Sequence, residues 1–394
     1  MKGRRTIGSF GVLRVLGILG VFLLAGCSGE HVVEPAVDIK PEPEPEPVSQ
    51  QVTPLYLRGY VSNYREIDAA LTRAFSFPDY VVPDEFMPIG AFFTQSGEAP
   101  EERNIVRNPI DGQWSYTPPT PIATDDYQLY GYMPSNAASV TITPNSNYAD
   151  GATMHFEGLD IVMSKDLCVL VGAKHATSYD ENTDTYTFGD GNLNTGNFDC
   201  HMNNGAGLTN YLFLLFDHIY AAISFRFRVD ADYAKMRTIH LRKLQLTAYA
   251  DNTYTVKRKK EMNATISLRK TTDGTSPIQS ITLEDTPGSL EIDKETFFND
   301  DIELKADEWS DEVAYVPYTR SYYELHSTYD IYDKKGNLIR QNCTATNRIN
   351  PFAILNLSDL ERGKKYVLRL TVAPTYLYQL SDQDLDNPTV QISN

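Results

Sequence analysis

Histidine and cysteine are both scarce in this chain, and neither is spaced for chemistry. The seven histidines form no His-x-His or His-Glu-x-x-His pair. The four cysteines include no Cys-x-x-Cys, so no metal site is expected. Cys200 and His201 are adjacent, which on a strand sends their side chains to opposite faces. There is no Gly-x-Ser-x-Gly elbow and no glycine-rich phosphate loop. Paired carboxylates abound only because acidic residues do, 52 of them. The expectation is a protein without catalysis and without cofactor. Basic residues number 35, leaving a formal charge of −17, which repels nucleic acid and anionic lipid. No segment longer than ten residues sustains a 3.6-residue apolar period, so long helices are not expected.

Two local patterns come near a site and fall short. Asp180-Glu181-Asn182-Thr183-Asp184 begins like a calcium-binding EF-hand loop. However, Thr185 stands where the turn glycine belongs and Gly191 where the bidentate glutamate belongs, which leaves room only for adventitious calcium. His218, in Phe216-Asp217-His218-Ile219, reads either as a general base or as a junction histidine bonded to backbone or to a neighbouring carboxylate. The second reading is preferred.

What the chain does carry is an address. Lys2, Arg4 and Arg5 precede an apolar stretch from Ile7 to Ala25, and Leu23-Leu24-Ala25-Gly26-Cys27 closes it. This pattern is that of a lipoprotein signal, cleaved after residue 26, with Cys27 acylated as the new N-terminus. Arg14 interrupts a stretch that would need roughly 20 apolar residues to span a membrane. The chain is therefore expected to be anchored by lipid and not to cross the bilayer. Residues 27–50 follow as a linker. Its run Pro41-Glu42-Pro43-Glu44-Pro45-Glu46-Pro47 favours extended polyproline-like chain, reaching up to roughly 60 Å at ~3.1 Å per residue.

After Gln51 the pattern turns to β. The 25 tyrosines and 17 phenylalanines favour strands over helices. Strands are expected over 55–61, 89–93, 114–116, 127–132, 167–171, 212–216, 219–229, 239–250, 254–256, 265–268, 278–283, 322–332, 338–339 and 365–372. Segment 141–158 is polar around short apolar pieces, and 178–204 reads as a polar loop. In the strand ending at Val229, Ile223, Phe225, Phe227 and Val229 alternate with Ser224, Arg226 and Arg228, the mark of a sheet with one buried face. Asp333-Lys334-Lys335-Gly336-Asn337 has the composition of a hairpin turn. The polar break Asp230-Ala231-Asp232 is the best domain boundary. The expected fold is all-β, with tandem β-sandwiches over 51–231 and 232–394. Of the cysteines left after Cys27, Cys168 reads as a buried small hydrophobe. One disulfide among Cys168, Cys200 and Cys343 stays open.

One further pattern points to a family. Leu214-Leu215-Phe216-Asp217-His218-Ile219-Tyr220-Ala221-Ala222-Ile223-Ser224-Phe225 resembles a segment of the fimbrillin-like lipoproteins of Bacteroidales. So do Thr72-Arg73-Ala74, the strand Ile89 to Phe93, and Trp114 followed by the aromatic strand 127–132. The segment Leu357-Ser358-Asp359-Leu360-Glu361-Arg362-Gly363-Lys364-Lys365-Tyr366-Val367-Leu368 is also similar, with Arg362 where the family usually has proline. The resemblance implies a type V pilus (fimbria) subunit with two transthyretin-like sandwiches, delivered to the outer-membrane surface by the lipid on Cys27. It implies other pilus subunits as partners and a role in adhesion. In polymerising members an Arg-specific protease removes the first strand with the lipid, and a donor strand from the next subunit fills the groove.

Read for that mechanism, Leu55, Leu57 and Val61 form the apolar face of a removable first strand. Arg73, in the family-like context, and Arg65 are the candidate cleavage points, with ordinary surface arginines as the alternative. Val390 and Ile392 alternate in a segment that is either donor material or a last edge strand. The competing function is a surface glycan-binding lipoprotein of an uptake system, whose tyrosines would stack on sugars. That reading requires aromatic side chains grouped on one exposed face.

Overall fold

Strand after strand follows the alternation of apolar residues, but the partners are set by long-range pairing. A computed structural model describes residues 53–67, 80–81, 87–373 and 389–393, with interruptions at 111, 121, 181, 184, 189–194 and 273–274. The chain divides into units 1–50 and 51–394, and everything described lies in the second. The expected lipoprotein signal, Cys27, the expected linker and Arg73 lie outside the described residues.

The N-terminal sheet comprises β1 (Leu55–Ser62), β3 (Tyr80–Val81), β4 (Ile89–Thr94), β5 (Glu101–Arg107), β6 (Trp114–Thr117), β7 (Asp125–Met133), β10 (Cys168–His175), β13 (Asp199–Met202) and β14 (Asn210–His218). Its order is β10-β14-β1-β6-β5-β4-β7-β13, with β3 also on β1. Because β10 pairs again with β7, at Cys168↔Met133 and Val169↔Tyr132, seven strands close into a ring. Ile89, Ala91, Phe93, Ile105, Leu129, Leu212, Leu214 and Phe216 fill its interior. The opposite faces of β4 and β7 are apolar too, and Phe92, Tyr130 and Tyr132 join the larger core outside the ring.

Three further sheets and a two-stranded hairpin make up the rest of the described strands. One holds β2 (Arg65–Ile67), β15 (Ala221–Val229), β20 (Glu312–Val316), β23 (Lys364–Ala373) and β24 (Thr389–Ser393), in the order β2-β23-β15-β20 with β24 also on β23. A second holds β16 (Arg237–Tyr249), β19 (Glu295–Leu304), β21 (Tyr322–Asp333) and β22 (Leu338–Ile349), ordered β19-β16-β21-β22. A third joins β8 (Ser139–Pro144) and β9 (Gly151–Asp160) to β17 (Glu261–Arg269) and β18 (Ile278–Asp285). There β9 packs on the ring, with Tyr132 edge-on to Phe156 at 5.2 Å. A small hairpin, β11 (Ser178–Asp180) and β12 (Thr185–Thr187), occupies the expected EF-like loop. The helices α1 (Ala231–Ala234) and α2 (Pro351–Ile354) are single turns, and among the described residues no helix is long and apolar enough to cross a membrane.

Sheet membership does not follow the expected boundary after Ala231. Strand β15 pairs with β23 and β20, and β8 and β9 share a sheet with β17 and β18. The polar break at 230–232 is a cap: the Asp230 carboxylate accepts from the backbone N–H groups of Asp232 and Tyr233, which starts α1. Residues 254–256 are not a strand, since Tyr254 has φ 60° in a turn and the Asp251 carboxylate gathers the Thr255 and Val256 N–H groups. The expected turn at 333–337 is present, with Gly336 at φ 83° and Asp333 accepting from the N–H groups of Lys335 and Asn337. Cys168, Cys200 and Cys343 are free and buried.

One carboxyl works against this packing. Glu312, at the start of β20, is pushed up to about 7 by burial, then by the charges of Asp311 and Asp300. A raised carboxyl stabilises the fold below its ordinary value of 4.5, and that contribution is lost as pH rises through about 7. Glu312→Gln should therefore melt higher than wild type at pH 8 and show no gain at pH 4. Thermal unfolding at the two pH values checks this.

Candidate functional site

The first strand and the junction that holds it form the candidate site. β1 runs parallel to β14 along nearly its whole length, from Leu55↔Asn210 to Val61↔Phe216. Its other edge is thinly paired, at Leu55↔Trp114 on β6 and at Val61↔Val81 and Ser62↔Tyr80 on β3. Leu55, Leu57 and Val61 are buried, 7–8% exposed, and join Leu212, Leu214 and Phe216 in the ring's interior. The expected apolar face is therefore real. On the opposite face Tyr56, 47% exposed, stacks on Tyr211 at 5.2 Å, and Arg58 lies over Tyr186 at 4.9 Å. Tyr186 in turn stacks on Tyr179 at 4.3 Å.

Beyond Ser62 the chain crosses to the other sheet. The Arg65 N–H donates to the Gly363 carbonyl at 2.9 Å, and β2 pairs with β23 at Arg65↔Lys364, Glu66↔Lys365 and Ile67↔Tyr366. Arg65 is thus an exposed side chain on a paired strand. On the same edge of β23, further along, β24 pairs antiparallel, with Val390 opposite Val372 and Ile392 opposite Leu370. Here the C-terminal segment acts as an edge strand of its own chain. The opposite edge of β23 is occupied by β15.

The crossing is pinned by charged and polar side chains. The Ser62 hydroxyl donates to Asp217 Oδ1 at 2.7 Å, and Arg362 Nη1 donates to Asp217 Oδ2 at 2.7 Å. Burial alone would raise the Asp217 carboxyl, but Arg362, the Ser62 hydroxyl and His218 outweigh it and hold it below the usual carboxylate range. Arg362, the residue that departs from the family pattern, thus ties the start of β23 to the end of β14. A groove of about 680 Å³ opens beside it, lined in part by Asn63, Arg65, Arg362 and the β18 edge at Ile278 to Ile281.

His218 confirms the preferred reading of a junction histidine. Its Nε2 meets the Ser62 carbonyl at 2.5 Å and its Nδ1 meets Asp166 Oδ2 at 2.5 Å. Both partners are acceptors, an arrangement that favours a proton on each ring nitrogen. Burial would lower the imidazole's affinity for its second proton, but Asp166, the Ser62 carbonyl and Asp217 raise it overall. The Tyr64 hydroxyl donates to the other Asp166 oxygen at 2.8 Å, and its ring stacks on His218 at 3.7 Å. Cys168 Sγ lies 3.5 Å from both Asp166 Oδ2 and His218 Nδ1, and burial followed by Asp166 pushes its thiol well up. Spacing gave no hint of this cluster. Asp166 and Cys168 stand two apart, while His218 arrives from fifty residues on through the pairing Cys168↔His218.

No protein-family model matches the sequence, and no curated protein does. Solved structures do show likeness. A proposed cell adhesion protein from Bacteroides fragilis matches at TM-score 0.39 and 9% identity, covering 87% of this chain and 97% of that one. Another from Bacteroides ovatus gives 0.30 and 10%, over 87% and 96%. The fimbrial anchor protein Mfa2 from Porphyromonas gingivalis gives 0.22 and 11%, over 85% and 96%. At such scores the likeness carries no argument about this chain's activity.

The junction predicts its own sensitivity. Asp217→Ala strips the Ser62 hydroxyl and the Arg362 guanidinium of their shared acceptor in a partly buried place, which should cost about 1–3 kcal/mol. Denaturant unfolding measures this, and limited proteolysis should show β1 cut sooner than in wild type.

Proposed function

We propose that this chain is a structural subunit of a type V pilus, exported as a lipoprotein on Cys27 and assembled by exchange of its first strand. The observation that supports it most is the ring's connectivity. β1 is the first of the described strands, and it closes the ring between β14 and β6. Taken out, it leaves β14-β10-β7-β4-β5-β6 as one continuous sheet, because β10 bridges β14 and β7. A slot remains, edged by the unpaired backbone of β14 and floored by Leu212, Leu214 and Phe216. Such a slot suits an incoming strand with alternating apolar residues.

The position of β2 favours Arg73 over Arg65 as the processing site. A cut after Arg65 would leave Glu66 and Ile67 on the β23 edge. A cut after Arg73 frees β1 and β2 together and vacates two places, the ring slot and the β23 edge at Lys364–Tyr366. In this reading a donor strand replaces β1, and the C-terminal segment with Val390 and Ile392 is its candidate source in the next copy.

A second reading, glycan binding by a lipid-anchored surface protein, draws support from the aromatic group Tyr56, Tyr179, Tyr186 and Tyr211 on the outer face of the ring. The two readings diverge on processing, because Tyr56 and Arg58 leave with β1. Low-dose trypsin on the mature protein, followed by an unboiled denaturing gel, separates them. The pilus reading expects a ladder of stable multimers that appears only after cleavage and is abolished by Arg73→Ala. A cleaved chain that stays monomeric counts against it. Sugar binding by the uncut chain, lost in Tyr56→Ala, would favour the second.

A further inference from the structure

We propose that Asp166, Cys168 and His218 form a binding site for one divalent cation of the zinc class. The three residues are 8%, 1% and 4% exposed, and their ligand-type atoms all lie within 4.8 Å of one another. They supply an oxygen, a sulfur and a nitrogen, a donor set that suits zinc.

The outward-facing hydrogen bonds are already arranged as a ligand shell requires. Histidines that bind metal through one nitrogen donate the other N–H to a carbonyl or carboxylate, which fixes the ring. His218 directs Nε2 at the Ser62 carbonyl and so keeps Nδ1 for the cluster. Asp166 takes the Tyr64 hydroxyl on Oδ1 and turns Oδ2 inward. Tetrahedral zinc, with bonds near 2.0 Å to nitrogen and oxygen and 2.3 Å to sulfur, would set sulfur about 3.5 Å from either lighter donor. Both sulfur separations are 3.5 Å. Only Nδ1 and Oδ2, at 2.5 Å, would need to part, to about 3.3 Å. A water molecule would complete the four ligands.

Binding through Nδ1 and Sγ would release the protons those atoms carry, and they leave to solvent.

The test uses the untagged mature chain, because a polyhistidine tag would bind metal itself. After chelation and dialysis, the folded protein is loaded with Zn²⁺ or Co²⁺, and its metal content and Tm are measured. One equivalent per chain and a raised Tm are expected. Loading with Co²⁺ should also produce a thiolate-to-cobalt charge-transfer band. Cys168→Ser should lose the band and the tight equivalent, whereas Cys343→Ser, altering a buried thiol on β22, should keep both. The Co²⁺ band on wild type reads sulfur ligation directly, so the test stands even where Cys168→Ser fails to fold. Folded wild type with no tight equivalent, or metal retained with an unchanged band in folded Cys168→Ser, would overturn the proposal. So would weak binding of several equivalents that the substitution leaves unaltered. None of these outcomes depends on whether the chain polymerises.

Discussion

Two residues separate the ring from the sheet beside it. β14 ends at His218 and β15 begins at Ala221, so Ile219 and Tyr220 alone carry the chain between them, both almost wholly buried. The passage is held by backbone, with Ile219 N–H donating to the Leu167 carbonyl and the Tyr220 carbonyl accepting from Gly363 N–H. So tight a crossing forces Asp217 and His218 to the place where both sheets meet. It also fixes what those side chains can reach: the end of β1, the start of β10 and the approach to β23. The polar cluster follows from the crossing.

The same geometry explains why β1 can be both well held and separable. Burying its three inward apolar side chains contributes about 1.5–3 kcal/mol each, an upper estimate because the unfolded chain also hides some surface. Its backbone is paired along its length on one side and at only three positions on the other, and no strand precedes it in the described chain. By contrast, β10 and β14 have described strands both before and after them in the chain, so a single cut frees neither. A chain deprived of β1 would expose apolar floor and an open edge together, a state that is prone to pairing with any extended segment. Replacement by another strand therefore relieves more than lost hydrogen bonds, since the unpaired backbone can turn to water but the apolar floor cannot.

Much of this was legible in the sequence, and the limits have a physical source. Period-two alternation is local, so β1, β4, β7, β15, β21 and β23 could be read where they stand. Strands β5 and β19 were missed because charged residues crowd them, as in Glu101-Glu102-Arg103 and Asn299-Asp300-Asp301. Partner choice is not local at all. Nothing in Thr153-Met154-His155-Phe156 says that its neighbour is β17, more than a hundred residues downstream. Sheets draw strands from both sides of the expected boundary for that reason: a polar break marks a turn, and the crossing from β14 to β15 is apolar. The Asp166–Cys168–His218 cluster was equally hidden, because strand register and not motif spacing assembles it.

The cluster and the first strand share one imidazole. Nδ1 faces the proposed cation site, and Nε2 grips the carbonyl of Ser62, the last residue of β1. Whatever fixes the ring for one partner fixes it for the other, so a cation bound there would be linked to retention of β1. Linkage of this kind is reciprocal: a cation that strengthens the grip on β1 must itself be bound more weakly once β1 has gone. On the proposed reading of the pilus, the site would then belong to the subunit before assembly. Exchange of the strand would loosen the cation by the same factor that the cation opposed the exchange.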